Sequence, residues 1–310
     1  MIVEVKNLVK RFNGNIAVDN VNISIKEGEI FGLLGPNGAG KTTTINAMIG
    51  LAKIDGGEIE IFGKNTKTHE MEIKKEIGIV PQDIALYEDM TAYENLTFFA
   101  RLYDLRNGLL KNSVEEALHF TGLWEKRYEL TKRLSGGMKR RLNIACAIAH
   151  HPKLIIMDEP TVGIDPQSRN HILESIRKLN ELGSTIIYTS HYMEEVEELC
   201  TYITIMDHGK VIAKGTKDEL KNLIATEEKV NFELSGINYT MVDNIKKMNG
   251  VKDCTIEGKT MKVISQKNSK NLGKIIDAIS NNDCEIFSLN VDKPTLEGVF
   301  LTLTGRTLRD

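Results

Sequence analysis

At 310 residues the chain is long enough for about two domains, each with a buried core. Its composition, 41% hydrophobic and 27% charged, excludes a disordered or low-complexity protein. A net charge of −3 lacks the basic balance that marks nucleic-acid binding.

Residues 2–12 and 16–25 alternate apolar and polar side chains, as antiparallel strands do, and join near Asn13-Gly14-Asn15. Apolar residues 30–34 read as a strand and residues 43–51 as a helix. Between them Gly35-Pro36-Asn37-Gly38-Ala39-Gly40-Lys41-Thr42 fits the phosphate-loop pattern G-x-x-x-x-G-K-[ST], in the strand–loop–helix context it requires. The glycines let consecutive backbone N–H groups curl around phosphate oxygens, and the helix N-terminus adds partial positive charge. Lys41 is expected to reach the outer phosphates and Thr42 to ligate Mg²⁺.

Strands are expected at residues 57–62 and 77–80, a helical stretch over 91–121, and short buried parallel strands at 154–157, 185–188 and 202–206. Leu134-Ser135-Gly136-Gly137-Met138 places a serine and two glycines directly before a helical run at 139–149. The fold class is α/β: a P-loop core with an antiparallel β subdomain and a helical insert. A second unit begins near Thr226, giving domains 1–224 and 225–310. Its expected strands are 229–234, 251–256, 261–264 and 285–291, and its helices 240–248, with Thr240 as N-cap, and 272–279. The order β-α-β-β-α-β is the ferredoxin-like α+β arrangement, followed by a closing helix at 294–303.

The strand at 154–157 runs into Asp158-Glu159. Beside a phosphate loop, Asp158 can hold a Mg²⁺ shell and Glu159 can accept a proton from an attacking water. Alone, the pair reads equally well as an acidic turn before Pro160. Gln82 follows a strand and can reach metal or water, although by itself it is only a loop glutamine. His191 follows another strand, where a neutral imidazole can meet a γ-phosphate. Asp165 fits an N-cap before Pro166.

Together, in this order, the motifs resemble those of the ATP-binding subunit of an ATP-binding cassette (ABC) transporter, over roughly residues 2–220. The resemblance implies ATP and Mg²⁺ as cofactors. It assigns the loop Gly35, Pro36, Asn37, Gly38, Ala39, Gly40, Lys41, Thr42 and Thr43 to phosphate binding. Phe12 would stack on adenine. Ser135, Gly136 and Gly137 would form the signature that meets the nucleotide of an opposite subunit. Glu159, His191 and Gln82 would be catalytic, with Thr42, Gln82 and Asp158 at the metal, and residues 162–165 would touch the opposite subunit. Met138 stands where the family most often has Gln and cannot offer its amide hydrogen bonds. A signature ending in Met before Lys139-Arg140-Arg141 is similar to the type 2 exporter branch, as is Pro294-Thr295-Leu296-Glu297-Gly298-Val299-Phe300.

The implied function is ATP hydrolysis at a head-to-tail homodimer or heterodimer, driving a separate transmembrane permease. The alternatives are an amino-acid importer with a substrate-sensing terminal unit, and a soluble cassette ATPase on ribosomes or DNA. One phosphate loop, no heptad stretch and no cysteine metal cluster count against the last. Cys146, Cys200, Cys254 and Cys284 contain no C-x-x-C pair and read as reduced thiols. Charge within residues 1–6 does not suit a leader. No apolar run approaches the roughly 20 residues that span a bilayer. The expected place is therefore cytoplasmic, peripheral on the cytoplasmic membrane face. The basic cluster at 132–141 and the acidic run Glu194, Glu195, Glu197 and Glu198 read as solvated helix faces.

Overall fold

The computed structural model describes residues 1–224, 227–267, 269–282, 284–292 and 294–305, in two units formed mainly by Met1–Lys217 and Asp218–Thr302. In the first unit β1 (Val3–Phe12) and β2 (Asn15–Ile25) pair antiparallel. Their turn, Asn13-Gly14, has φ of 48° and 86°, a doubly left-handed geometry that Asn-Gly adopts at little cost. β3 (Ile30–Leu34) leads through the phosphate loop into α1 (Lys41–Met48). β4 (Gly56–Ile61) and β5 (Lys64–Asn65) complete one sheet, in the order β2-β1-β4-β5. α2 (Glu70–Lys74) then precedes β6 (Ile77–Val80).

The stretch 91–121 is two helices, α3 (Ala92–Leu102) and α4 (Asn107–Phe120). Asp104 and Asn107 interrupt it with φ of 63° and 51°, since left-handed residues cannot continue a right-handed helix. α3 starts where it does because Thr91 and Glu94 cap it reciprocally: the Thr91 hydroxyl accepts the Glu94 N–H, and the Glu94 carboxylate accepts the Thr91 N–H.

There follow α5 (Gly136–Ile148), β7 (Leu154–Asp158), α6 (Pro166–Glu181), β8 (Thr185–Thr189), α7 (Met193–Leu199) and β9 (Tyr202–Asp207). β10 (Lys210–Gly215) then returns antiparallel to β9 through His208-Gly209, both at positive φ. The second sheet has the order β10-β9-β3-β8-β7-β6, with the four pairings from β9 to β6 parallel. β3, β7 and β8 are buried at every residue, as parallel strands covered on both faces must be. Register sets Asp158 beside Thr189 and Leu33 beside Thr189. The carboxyl ends of three strands therefore deliver the phosphate loop, Asp158-Glu159 and Ser190-His191 to one edge.

α8 (Lys217–Ile224) precedes Ala225 and Thr226, so Thr226, where the sequence places the start of the second unit, lies outside the described residues. Then come β11 (Glu227–Leu234), α9 (Tyr239–Lys246), β12 (Val251–Glu257), β13 (Thr260–Gln266), α10 (Leu272–Ser280), β14 (Ile286–Asp292) and α11 (Leu296–Thr304). An antiparallel sheet orders them β12-β13-β11-β14. Phe232, Leu234, Met241, Ile245, Met261, Val263, Ile275 and Ile279 form a core of its own. Thr240 is not the cap of α9. Asn238 is, its side-chain oxygen accepting the N–H groups of Thr240 and Met241, so the helix begins one residue early. Among the described residues no helix is long and apolar enough to cross a membrane.

Candidate active site

The phosphate loop is glycine-rich for steric reasons. A Cβ on Gly35 would strike the Met206 carbonyl oxygen, and one on Gly40, at φ 99°, would lie 2.7 Å from the Ala17 carbonyl oxygen. Gly40 is also the N-cap of α1 and supplies no side-chain acceptor, leaving first-turn N–H groups and the positive end of the helix for an anion. Lys41, 6% exposed, folds back so that Nζ donates to the Gly35 carbonyl at 2.8 Å and the Pro36 carbonyl at 3.2 Å. Burial lowers its pKa, while the charges of Glu159 and Asp158 oppose that shift. A cleft of about 320 Å³ is lined by loop residues 37–43 together with Ala17, Gln82 and Glu159.

Glu159 sits at φ 47°, a left-handed conformation costing a non-glycine residue about 1–2 kcal/mol. Thr189 holds it there. The Glu159 N–H donates to Thr189 Oγ1 at 2.8 Å, and that hydroxyl donates to Asp158 Oδ1 at 2.6 Å. The Glu159 carboxylate gathers the remaining groups. Oε1 is 3.9 Å from Lys41 Nζ, and Oε2 is 3.4 Å from both Gln82 Nε2 and His191 Nδ1. Residues 41, 82, 159 and 191, scattered along the chain, thus meet at one carboxylate at the edge of a cleft. Such a carboxylate can take a proton from water.

A supporting layer departs from the sequence-based reading. Glu195 is not on a solvated face. It is 3% exposed, because α7 turns Met193, Glu195, Val196 and Leu199 inward. Its Oε2 accepts from Tyr188 OH at 2.7 Å and from Thr161 Oγ1 and Ser190 Oγ at 2.8 Å, and Oε1 lies 3.4 Å from Arg169 Nε. Burial, then the Glu195 charge, pushes the Tyr188 phenol well above its usual pKa. Arg140 is likewise interior at 4% exposed, whereas its neighbours Lys132 and Lys139 pair with Asp89 and Glu88 at the surface. Thr189, Glu195 and Arg140 were missed because a run of like charges or a strand-end threonine carries no local sign of what packs over it.

Other candidates stand apart from the cleft. Phe12 ends β1, the residue 50% exposed and Lys10 Nζ 4.9 Å from its ring centroid. Ser135 caps α5, accepting the Met138 N–H at 3.3 Å; any residue but proline at 138 supplies that donor. Neither Ser135 nor Gly136 nor Gly137 is among the residues lining the cleft. Gly137 is pressed on α6, where a Cβ would strike Ser168 Oγ. Asp165 is the N-cap of α6, accepting the Ser168 N–H at 2.9 Å, a bond that lowers its carboxyl pKa. Thr42 and Gln82 at the cleft, with Asp158 next to Glu159, offer the hydroxyl, amide and carboxylate oxygens that suit a hard divalent cation. Among the described residues no cluster of three or more His, Cys, Asp or Glu could hold a metal.

Residues 18–162 match the ABC transporter family model, and an AAA domain model overlaps residues 131–197. Over 311 aligned residues, covering all of both chains, the sequence is 45% identical to the linearmycin resistance ATP-binding protein LnrL of Bacillus subtilis. The chain belongs to the ABC transporter ATP-binding family. The cassette is also 38% identical to the daunorubicin/doxorubicin resistance ATP-binding protein DrrA of Streptomyces peucetius, over 72% of this chain and 68% of that one. It is 34% identical to a Nod factor export ATP-binding protein of Sinorhizobium fredii, over 99% and 87%. Among solved structures, an ATP-binding subunit of an ABC transporter superposes with a TM-score of 0.67 at 30% identity, over 72% of this chain and 93% of that one. A dimeric post-hydrolysis cassette bound to ADP and Pi gives 0.63 at 29%, over 69% and 98%. The cassette is an ATPase of the exporter-like branch, with a P-loop core.

Proposed function

We propose that the cassette is the motor of an exporter. Two cassettes pair head to tail on the cytoplasmic face of the membrane, and their ATP-driven closing and reopening moves a separate permease. The observation that carries this reading is the split of the site. Lys41, Gln82, Glu159 and His191 converge at the cleft, while Ser135, Gly136 and Gly137 cap a helix outside it. A second copy, identical or related, would bring its signature serine and helix N-terminus to the nucleotide. The first-turn amides of α1 and Lys41 hold phosphates, Phe12 offers its open ring face to adenine, and Glu159 takes the proton of the attacking water. Thr42, Gln82 and Asp158 would hold Mg²⁺, which neutralises phosphate charge when bound.

Relatives named for linearmycin resistance, daunorubicin/doxorubicin resistance and Nod factor export favour outward transport of a drug, antibiotic, peptide or lipid-like molecule. They weigh against the amino-acid importer. Nucleic acid has no part in this reading. The test is dimerisation. In a Glu159→Gln background, ATP should pair the cassettes as seen by light scattering, and adding Ser135→Arg should abolish pairing while nucleotide binding persists. Normal ATP-driven pairing of the Ser135→Arg form would refute the shared site.

A further inference from the structure

Arg140 is a buried cation that hydrolysis by a single cassette does not use. Its guanidinium donates to two consecutive carbonyls of the glutamine loop, Pro81 O at 2.7 Å and Gln82 O at 2.5 Å. Burial lowers its pKa, and the charge of Asp83 opposes that shift. The far part of the same loop is anchored separately, by Asn95, which accepts the Tyr87 N–H at 2.8 Å and donates to the Tyr87 carbonyl at 2.9 Å. Arg140 therefore sets the segment that carries Gln82, and Gln82 reaches Glu159 at 3.4 Å. The helix bearing Arg140 is α5, which begins at the signature with Ser135 as its cap. Between the cap and the guanidinium lies little more than one helical turn, too short and too regular to absorb a displacement.

We infer that Arg140 is a positioning residue that couples the two nucleotide sites of the dimer. Seating of the signature on the partner's nucleotide moves α5 as a body, and the guanidinium carries that movement to Gln82 in its own site. The inference rests on the head-to-tail reading above. Coupling of this kind appears as cooperativity in ATP, with a Hill coefficient approaching 2 for two sites.

The test uses the full chain. Arg140→Met keeps the unbranched apolar stem but removes the guanidinium and both bonds. Its ATPase should lose cooperativity, the Hill coefficient falling to about 1, and turnover should drop by about tenfold, the scale of a misplaced catalytic group. ADP affinity of the unpaired cassette should stay within about twofold, because the phosphate loop is untouched. Lys139→Ala, which removes a surface pair with Glu88, is the control and should retain cooperativity. Should Arg140→Met not fold, Arg140→Gln, which is polar but uncharged and too short to bridge both carbonyls, is read by the same outcomes. An Arg140 variant that folds and keeps the wild-type Hill coefficient overturns the coupling. If the wild type itself shows neither cooperativity nor ATP-driven pairing, the dimer reading fails, and the coupling with it.

Discussion

The hydroxyl of Thr189 makes two bonds at once, to the Asp158 carboxylate and from the Glu159 N–H, in full burial. Thr189→Val preserves shape and removes both bonds. Each buried group left unmatched costs about 1–3 kcal/mol, so denaturant titration should show a loss of that order. Turnover should fall with ATP affinity largely kept, because the Thr189 hydroxyl bonds Asp158 and Glu159 while Lys41 is held by the Gly35 and Pro36 carbonyls; wild-type turnover in a folded variant would show that Thr189 does not hold the pair. Glu159→Gln removes the carboxylate proposed as the proton acceptor. It should bind ATP while hydrolysis drops about 10²-fold or more, and near-normal steady-state hydrolysis would sink the assignment. His150 is titratable for another reason. It stacks on Tyr103 at 3.5 Å, with Nε2 3.1 Å from the Ile77 carbonyl. Burial, with His151 adding to it, depresses its pKa to about 4 from 6.5. The unfolded chain then binds the proton more readily, so stability is full above pH 6.5 and falls as pH drops towards 4. The loss is on the order of 3 kcal/mol. His150→Phe should flatten that acid limb in urea titrations, and an unchanged slope would assign it elsewhere.

At the scale of elements, α5 and α6 approach so closely that Gly137 has no room for a side chain: a Cβ would meet Ser168 Oγ, with Ser168 Cβ at 2.6 Å. Gly137→Ala should therefore lower stability by about 1–3 kcal/mol through overpacking, although alanine is the better helix former. Removing the obstacle with Ser168→Gly should recover part of the loss in the double variant, and simple additivity would rule out the clash. Such contacts mark the limit of what a sequence discloses. The phosphate loop, Asp158-Glu159 and the strands around them were legible because their signals are local: glycines at fixed spacing, and apolar runs ending in polar residues. Gln82 and His191 were legible only through their order among the other motifs. Glu195 and Arg140 were misread because charge predicts exposure unless a neighbouring element covers it, and here α7 turns one inward while the glutamine loop covers the other. The break between α3 and α4 was hidden because apolar spacing runs through it, whereas the interruption is set by positive φ at Asp104 and Asn107. β10 was missed because it is a short edge strand, defined by its pairing with β9.

At the scale of the whole molecule, each unit has a core of its own, and the chemistry lies in one of them. The second has a closed hydrophobic core, from Val230 through Ile279, and a sheet completed by its own four strands. The groups that meet at the cleft, Lys41, Gln82, Glu159 and His191, all belong to the first. Every strand beneath them belongs there too, since β10-β9-β3-β8-β7-β6 is complete by Gly215. Removing the second unit should leave the cleft intact. A chain ending at Ile224, which keeps α8 and removes the rest of that unit, is therefore expected to fold and to bind ATP within a few-fold of the full chain. Any deficit should appear in pairing or in coupling to a permease, where an accessory unit can act without contributing a catalytic group. The comparison is nucleotide titration of the two proteins, with circular dichroism to establish that the shorter one is folded. Loss of ATP affinity in a folded 1–224 chain would show that the second unit supports the nucleotide site.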